Sequence, residues 1–180
     1  MAKFYDKLSP GLQKFIEAQK IFFVATAADD GRINLSPKGM DSFKVIDGKR
    51  VLWLNVTGSG NETAAHLLAK NRITIMFCSF EGAPNILRLY GSGKEVKPSD
   101  SNWEDVAQHF TILPGTRQIF DITIESAQTS CGMSIPFFDY KGERQELNDW
   151  AEGKGKDGIK EYWTEKNQTS IDGLPTKILD

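Results

Sequence analysis

The residues best suited to chemistry lie in a glycine-rich turn at residues 57–63, TGSGNET, which separates two apolar segments. Its glycines permit tight backbone bends, and its threonine and serine hydroxyls can donate hydrogen bonds. A helical run over residues 64–70 follows directly, so the unpaired N–H groups of its first turn would face the same place. Such a helix start can bind an anion, for example a ligand phosphate. A plain capped helix after a turn would show the same residues, and the spacing alone leaves both interpretations open.

The start of this helix has two candidate caps. Ser59 and Glu62 have the S-x-x-E spacing of a capping box, and Asn61 is the alternative N-cap. The carboxylate of Glu62 would repel a bound phosphate unless it turns back to cap the helix. An anion site in this turn is therefore expected to have Glu62 folded back toward the backbone of Ser59.

The other chemically active residue types form no recognisable catalytic set. The sequence has no P-loop, no Ser/His/Asp set and no paired carboxylates at a useful spacing. Cys78 and Cys131 lie far apart, and His66 and His109 belong to no Cys/His cluster, so we expect no metal site. Catalytic residues therefore stay unassigned, and any difficult chemistry would be carried by a cofactor.

Composition and charge restrict the class of protein. The chain has 180 residues, enough for one domain with a sizeable core, and its net charge is −2 at pH 7. Basic residues are scattered among acidic ones, so nucleic acid is not an expected partner. No apolar run is long enough to span a membrane, and the first residues lack the apolar core of a secretory signal. We expect a cytoplasmic protein with reduced thiols and no membrane association.

Strand patterns dominate the segments that must position the turn. Segments rich in β-forming residues occupy positions 21–28, 33–40, 43–46, 50–56, 73–80, 86–96 and 118–127. Pro37 places its segment at a sheet edge, while Gly91 and Gly93 mark a bulge or bend. Short helices are expected after Ser9 and over residues 100–110. This pattern predicts a mainly β protein, an antiparallel barrel with a few inserted helices.

The sequence pattern changes from strand to helix beyond the last predicted strand. The remaining chain has the pattern of two short helices, at residues 145–151 and 158–166. Their aromatic side chains, including Trp150, would dock them on the barrel. We therefore divide the chain into a barrel over residues 1–130 and a helical extension over residues 131–180 that packs on it as part of the same structural unit.

Several segments together resemble the pyridoxamine 5′-phosphate oxidase-like family of FMN-binding split barrels. Between residues 15 and 129 they are DDGRINLSPKG, NVTGSGNETAAHLLAKNRITIMF and ILRLYGSGKEV. Farther on, SCGMSIPFF, the aromatic helix around Trp150 and SIDGLP resemble one flavin-associated subgroup. The resemblance implies an antiparallel split β-barrel with C-terminal helices docked on it, FMN as the cofactor, and a homodimer with the flavin at the subunit interface.

The resemblance also implies which residues hold the FMN phosphate. The matching positions are Ser36, Lys38 and Gly39 in one strand, with Thr57, Ser59, Asn61 and Thr63 in the turn and helix start. Family members often carry arginine or lysine near the position of Thr63, and this chain does not. Lys38 and Arg88 would then supply most of the positive charge.

Two further residues are candidates for the flavin pocket. Arg88 lies inside an apolar strand and would meet a phosphate, a carboxylate or the flavin edge across the dimer interface. An outward-facing arginine on an exposed surface is the alternative. Trp150 would cover the isoalloxazine ring system of the flavin, or else serve as a docking residue like the other tryptophans.

These observations predict an FMN-dependent oxidoreductase of unknown substrate. Oxidation of pyridoxamine phosphate itself is less expected, because the basic C-terminal signature for that substrate is not evident. Two alternatives stay open: a non-catalytic dimeric barrel that binds flavin or haem for sensing or storage, and a dimeric scaffold without a cofactor. Flavin absorbance of the purified protein would separate the scaffold from the others, and bleaching with NADH or NADPH would separate an enzyme from a binder.

Overall fold

Eight strands form one antiparallel sheet in this computed structural model, which describes residues 2–180. The strands are β1 (Lys3–Tyr5), β2 (Phe22–Thr26), β3 (Asn34–Lys38), β4 (Phe43–Val45), β5 (Arg50–Val56), β6 (Ile73–Cys78), β7 (Ile86–Val96) and β8 (Thr116–Ser130). Their order across the sheet is β3-β2-β6-β7-β8-β5-β4, and β1 pairs with the last part of β8. Strand β8 thus has three neighbours and holds the sheet together.

Four helices accompany the sheet: α1 (Pro10–Ala18), α2 (Glu62–Ala69), α3 (Trp103–Ala107) and α4 (Glu146–Lys166). Helix α4 is interrupted at Gly155, where φ is 64°, so the two C-terminal helices predicted from the sequence are two halves of one kinked element. Within residues 2–180, no helix is both long enough and apolar enough to cross a membrane.

The sheet curls around an aromatic core. Phe43 lies on the terminal strand β4 and Phe22 on β2, the second strand from the other end of the order, yet their ring centroids lie 4.9 Å apart. The Phe77 ring on β6 lies 5.2 Å from that of Phe43. Contacts between such distant strands require the sheet to roll up, although β3 and β4 are not hydrogen-bonded to each other in the described chain. The predicted mainly β fold, an antiparallel split barrel with helices, is confirmed.

Strand β5 is buried on both of its faces, which explains its continuous apolar sequence. Val51 and Trp53 belong to the larger core cluster, whereas Leu52 and Leu54 pack with Val106 of α3 in a second cluster. Successive side chains of a strand point to opposite faces of the sheet. Because β5 is held from both sides, the turn at residues 57–63 that follows it starts from a fixed point at one end of the barrel.

Two local predictions from glycine and proline are confirmed. Pro37 lies in β3, which is a terminal strand of the sheet, as expected for a residue without a backbone N–H. The register between β7 and β8 shifts at Gly91. A Cβ atom added to Gly91 would lie 2.0 Å from the carbonyl oxygen of Thr123, so the close approach of the two backbones requires glycine there.

The predicted capping box is wrong. The N-cap of α2 is Asn61, the alternative residue, and its side chain makes no capping hydrogen bond. The Glu62 carboxylate instead accepts hydrogen bonds from the backbone N–H of Ile171, at 3.0 and 3.2 Å. The backbone of Ile171 therefore takes the place of the predicted partner, the backbone of Ser59. This contact turns the Glu62 carboxylate toward the C-terminal segment.

Element boundaries also differ from the sequence prediction. Helix α3 is shorter than the predicted 100–110, and β8 is longer than the predicted 118–127. Strand β8 extends because β1, β5 and β7 all pair with it over different parts of its length. Backbone pairing with neighbours that are distant in sequence therefore decides where this strand ends.

Candidate functional site

A cavity of about 590 Å³ lies beside the turn at residues 57–63. Its walls come from β3, the end of β5, the turn itself and the start of α2, with single residues from β8, α4 and the C-terminal segment. Seven of the residues implied by the resemblance line it together: Ser36, Lys38, Gly39, Thr57, Ser59, Asn61 and Thr63. The lysine-bearing strand and the helix start therefore face one shared space within a single chain.

Lys38 brings a cation into this cavity. It is the last residue of β3, and its Nζ lies 5.4 Å from the ring centroid of Trp53. Burial lowers the pKa of Lys38 from 10.5 to about 8, and repulsion by the nearby Arg117 guanidinium contributes to the change. None of the salt bridges between described residues includes Lys38.

Arg117, near the start of β8, is the second cation of the cavity, and the sequence reasoning missed it. Its side chain is buried, and it donates from Nε to Asn55 Oδ1 at 2.6 Å and from Nη1 to Asn167 Oδ1 at 2.9 Å. Burial lowers the pKa of Arg117 to about 10, although the nearby Glu95 opposes the change. Both acceptors are neutral amides, so the hydrogen bonds orient the guanidinium without compensating its charge.

Two cations in one cavity without a salt bridge, half-buried Lys38 and buried Arg117, are unfavourable on their own. Removing an unpaired charge from water costs several kcal/mol, and like charges in one cavity add to that cost. Neither Lys38 nor Arg117 takes part in a salt bridge within residues 2–180. An anionic group in the cavity would offset both terms. The Glu62 carboxylate also lines the cavity and would repel such a group, although its hydrogen bonds to the backbone N–H of Ile171 direct it toward the C-terminal segment.

A network of buried amides holds the helix start in place. Gln118 Nε2 donates to Asn61 Oδ1 at 2.7 Å and to Asn55 Oδ1 at 3.2 Å. The same Asn55 oxygen accepts from Arg117. Asn61, expected to contact a ligand phosphate, thus has its side chain directed to the barrel. Its contribution is to fix the N-terminus of α2 relative to the two cations, because buried polar networks of this kind rigidify a site.

The hydroxyl groups of Thr57 and Thr63 differ in whether they have a proton free to donate to a ligand. The Thr57 hydroxyl donates to the carbonyl oxygen of Gly115 at 2.7 Å and accepts from Trp163 Nε1 at 2.8 Å, so its only proton is committed. Thr63 Oγ1 accepts from Asn34 Nδ2 at 3.3 Å and keeps its proton free. Thr63 is therefore a better donor to an anion than Thr57, although both line the cavity.

Arg88 and Trp150 lie outside the cavity walls. Arg88, on β7, donates from Nη1 to Ser130 Oγ at 3.1 Å. Trp150 packs edge-on against Tyr162, with ring centroids 5.2 Å apart. Helix α4 contributes Leu147 to the cavity in place of Trp150. The expectation that Arg88 reaches a flavin across a dimer interface stays a prediction.

The C-terminal segment is attached to the turn and to the loop before β3. Asn167 Nδ2 donates to the carbonyl oxygen of Gly58 at 3.1 Å. The Asp172 carboxylate accepts from the backbone N–H of Arg32 at 2.7 Å and pairs with the Arg32 guanidinium. The segment therefore forms part of the rim of the cavity, to which Ile171 also contributes.

The remaining nucleophilic and titratable candidates lie elsewhere. His66 is buried and its Nδ1 is hydrogen-bonded to Thr26 Oγ1 at 3.1 Å. Cys78 is buried, which raises the pKa of its thiol, and Cys131 is exposed. His109 lies on the exposed surface just after α3. None of these four side chains lines the cavity, so they offer it neither a general base nor a nucleophile.

Comparison with known proteins agrees with this architecture. A sequence model described as pyridoxamine 5′-phosphate oxidase matches residues 8–131. A pyridoxamine 5′-phosphate oxidase family protein of Aspergillus flavus, ustO, is 35% identical over 193 aligned positions, which cover 97% of this chain and 78% of that protein.

Solved structures of low sequence identity share the fold. An FAD-binding protein from Mycobacterium smegmatis has a TM-score of 0.50 at 16% identity, over 69% of this chain and 96% of that one. The haem storage protein HutZ from Vibrio cholerae has a TM-score of 0.50 at 19% identity, over 71% of this chain and 98% of that one. At such identities the likeness shows the fold alone.

Proposed function

Since this chain belongs to the pyridoxamine 5′-phosphate oxidase family, we propose that it binds FMN in the cavity beside the turn and acts as an FMN-dependent oxidoreductase. The observation that carries the proposal is the pair of cations, half-buried Lys38 and buried Arg117, which form no salt bridge within residues 2–180 and line the same cavity as a helix start. A phosphate monoester carries close to two negative charges at neutral pH, so it would balance the two side chains.

The residues suited to the phosphate are of two kinds. Lys38 and Arg117 offer full positive charges, and each hydrogen bond to a charged group is worth about 1.5–3 kcal/mol. Ser59 and Thr63 add hydroxyls beside the start of α2, whose backbone N–H groups and dipole also favour an anion. Arg117 thus replaces, from a distant strand, the cation that family members often carry near the position of Thr63.

The rest of the cavity suits an aromatic ring system. Trp53, Leu54, Leu113, Leu147 and Ile171 contribute apolar surface to its walls. Apolar wall surface combined with polar groups that fix orientation is typical of cofactor sites. When bound, FMN supplies hydride transfer, which the side chains of the cavity cannot perform. The protein would bind the cofactor, orient it and exclude water.

Flavin fits the cavity better than haem does. Protein haem ligands are mainly histidine, cysteine, methionine and tyrosine. Within the described part of the chain, no histidine, cysteine or tyrosine lines this cavity, and Met40 is the one lining residue of a haem-ligand type. A haem storage protein and an FAD-binding protein share the fold, so the choice between the cofactors rests on the residues of the cavity itself. They favour a ligand with a phosphate over one that needs an axial imidazole.

We further propose a homodimer, with the rim of the cavity close to the interface. Leu35 on the terminal strand β3 is 66% exposed, and Ile33 just before it is 76% exposed. Large exposed apolar side chains grouped at a sheet edge are typical of interaction surfaces. Leu35→Asp should convert a dimer to a monomer in light scattering, whereas Leu68→Asp, at a half-exposed leucine on α2, should leave it dimeric. A monomeric wild-type protein would contradict this proposal.

FMN binding is tested by titration of the purified apoprotein with FMN and with riboflavin, which lacks the phosphate. FMN should bind at least about a hundredfold more tightly, because it alone can pair with both cations and each hydrogen bond to a charged group is worth about 1.5 kcal/mol or more. Arg117→Gln should remove most of this preference, while the exposed Lys160→Gln on α4 should keep it. Equal affinity for the two flavins in the wild type would refute the site. Reduction of bound FMN by NADH or NADPH and its reoxidation in air would then support an oxidoreductase over a binder.

A further inference from the structure

The residue that follows α4, Asn167, connects three parts of the cavity. It is completely buried, with 0% of its surface exposed. Its Oδ1 accepts from Arg117 Nη1 at 2.9 Å, and its Nδ2 donates to the carbonyl oxygen of Gly58 at 3.1 Å. Its backbone carbonyl accepts from the Thr176 hydroxyl at 2.6 Å. One side chain therefore links the cation of β8 to the glycine turn, and its backbone anchors the C-terminal segment.

An amide is the group that suits this position. It supplies an acceptor for the guanidinium and a donor for the Gly58 carbonyl at the same time. A carboxylate here would neutralise Arg117 and would set an oxygen against the Gly58 carbonyl. Asn55, the other acceptor of Arg117, is also neutral. The guanidinium is thus held between two amides that fix its plane and leave N–H groups for another acceptor, while nearby Glu95 acts on its charge without forming a hydrogen bond to it.

We infer that Asn167 is a positioning residue of the phosphate site: it orients the Arg117 guanidinium toward the cavity and sets the glycine turn at the right distance from it. The inference rests on the proposed function, because it concerns the same cavity. The C-terminal segment then has two roles: it covers the barrel, and it sets how tightly the phosphate group of the ligand binds. Asn167 itself does not line the cavity.

A purely structural role for Asn167 predicts a different outcome. In that case the residue only fastens the end of α4, and losing it would weaken all ligands alike. Trp163 provides the matched comparison, since its Nε1 ties the same helix to the same turn through Thr57 Oγ1 at 2.8 Å. Trp163 makes no hydrogen bond to Arg117. The two residues therefore separate docking of the helix from orientation of the cation.

The experiment measures dissociation constants of FMN and riboflavin for the apoprotein and its variants, and compares the riboflavin-to-FMN ratio. Asn167→Ala should lower this ratio about tenfold, the effect of disturbing one hydrogen bond to a charged group. Trp163→Phe should keep the ratio within about twofold, even if both flavins bind less tightly. Asn167→Asp should lower the ratio further than alanine, because its carboxylate would pair with Arg117.

Each outcome bears on the inference. An unchanged ratio in Asn167→Ala, or an equal fall in Trp163→Phe, would overturn it. If Arg117→Gln lowers the ratio and Asn167→Ala does not, the inference fails while the proposed function stands. A wild type that shows no preference for FMN overturns both. Should Asn167→Ala lose its native circular dichroism, Asn167→Ser is the second variant, because its short hydroxyl cannot reach Arg117 and Gly58 together.

Discussion

We predict that Lys38 makes the proposed binding of FMN dependent on pH between pH 7 and pH 9, where most lysines stay protonated. Burial, helped by repulsion from Arg117, lowers its pKa to about 8 in the free protein. A phosphate bound beside it would favour the charged form and raise that pKa again. Binding above pH 8 must therefore be coupled to the uptake of one proton by Lys38, and the apparent affinity for FMN should fall as the pH rises.

The magnitude follows from the pKa itself. A decrease from 10.5 to about 8 corresponds to about 3 kcal/mol against the charged form of Lys38. If the bound phosphate restores the ordinary pKa, the apparent dissociation constant for FMN increases about tenfold between pH 7 and pH 9. The phosphate has already lost its second proton by pH 7 and adds little to this dependence.

The assay is a fluorescence titration of the apoprotein with FMN at intervals from pH 6.5 to pH 9. Lys38→Arg should keep strong binding and remove the pH dependence above pH 8, because a guanidinium stays protonated throughout, whereas Glu95, with a pKa of about 7, is already ionised there. Lys38→Met should bind weakly at every pH. Riboflavin, which has no phosphate, should show no dependence in any of the three proteins. A wild-type affinity for FMN that stays constant from pH 7 to pH 9 would refute the reasoning, as would a dependence that persists in Lys38→Met.

Two further predictions concern stability. Glu95 on β7 has a buried Oε1 without a hydrogen-bond partner among residues 2–180, and burial raises its pKa from 4.5 to about 7. Between these two pH values the native state therefore binds more protons than the unfolded state. As the pH rises from about 4.5 to 7, Glu95 lowers the free energy of unfolding by at most about 3 kcal/mol. Glu95→Gln should narrow the difference in urea midpoint between pH 5 and pH 8, and a difference equal to that of the wild type would contradict this. Gly91→Ala should destabilise the protein by at least about 2 kcal/mol, since its Cβ would meet the Thr123 carbonyl, whereas Gly153→Ala, with open space around it on α4, should be neutral or slightly stabilising. Equal urea midpoints for the two alanine variants would contradict the close approach of β7 and β8.

Much of the barrel was predictable because its signals are local. Alternating or continuous apolar runs and hairpin turns predict strands, and Pro37 predicts a terminal strand. The resemblance brought the strand around Lys38 and the turn at residues 57–63 to the same site, and both line one cavity. Strand β1 was not predicted, since three residues carry too little pattern to be recognised.

The unpredicted part of the site depends on contacts between residues far apart in the chain. Arg117 lies just before the strand predicted at residues 118–127 and carried no local signal, and its burial follows only once Asn55 and Asn167 surround it. The capping box failed for the same reason, because Glu62 binds the backbone of Ile171, 109 residues away. Local spacing identifies residues able to bind an anion, but only the folded chain shows which donors are already occupied.

The central place of β8 and the late position of Asn167 impose an order on biosynthesis. During translation, the strand with Lys38 and the turn at residues 57–63 leave the ribosome well before β8, to which β1, β5 and β7 all pair. Until β8 has been synthesised, β5 and β7 each have one edge without a hydrogen-bonded neighbour. Strands with such unpaired edges are prone to aggregate. Asn167 emerges later still, so the proposed phosphate site is complete only after residues 1–167 have been synthesised.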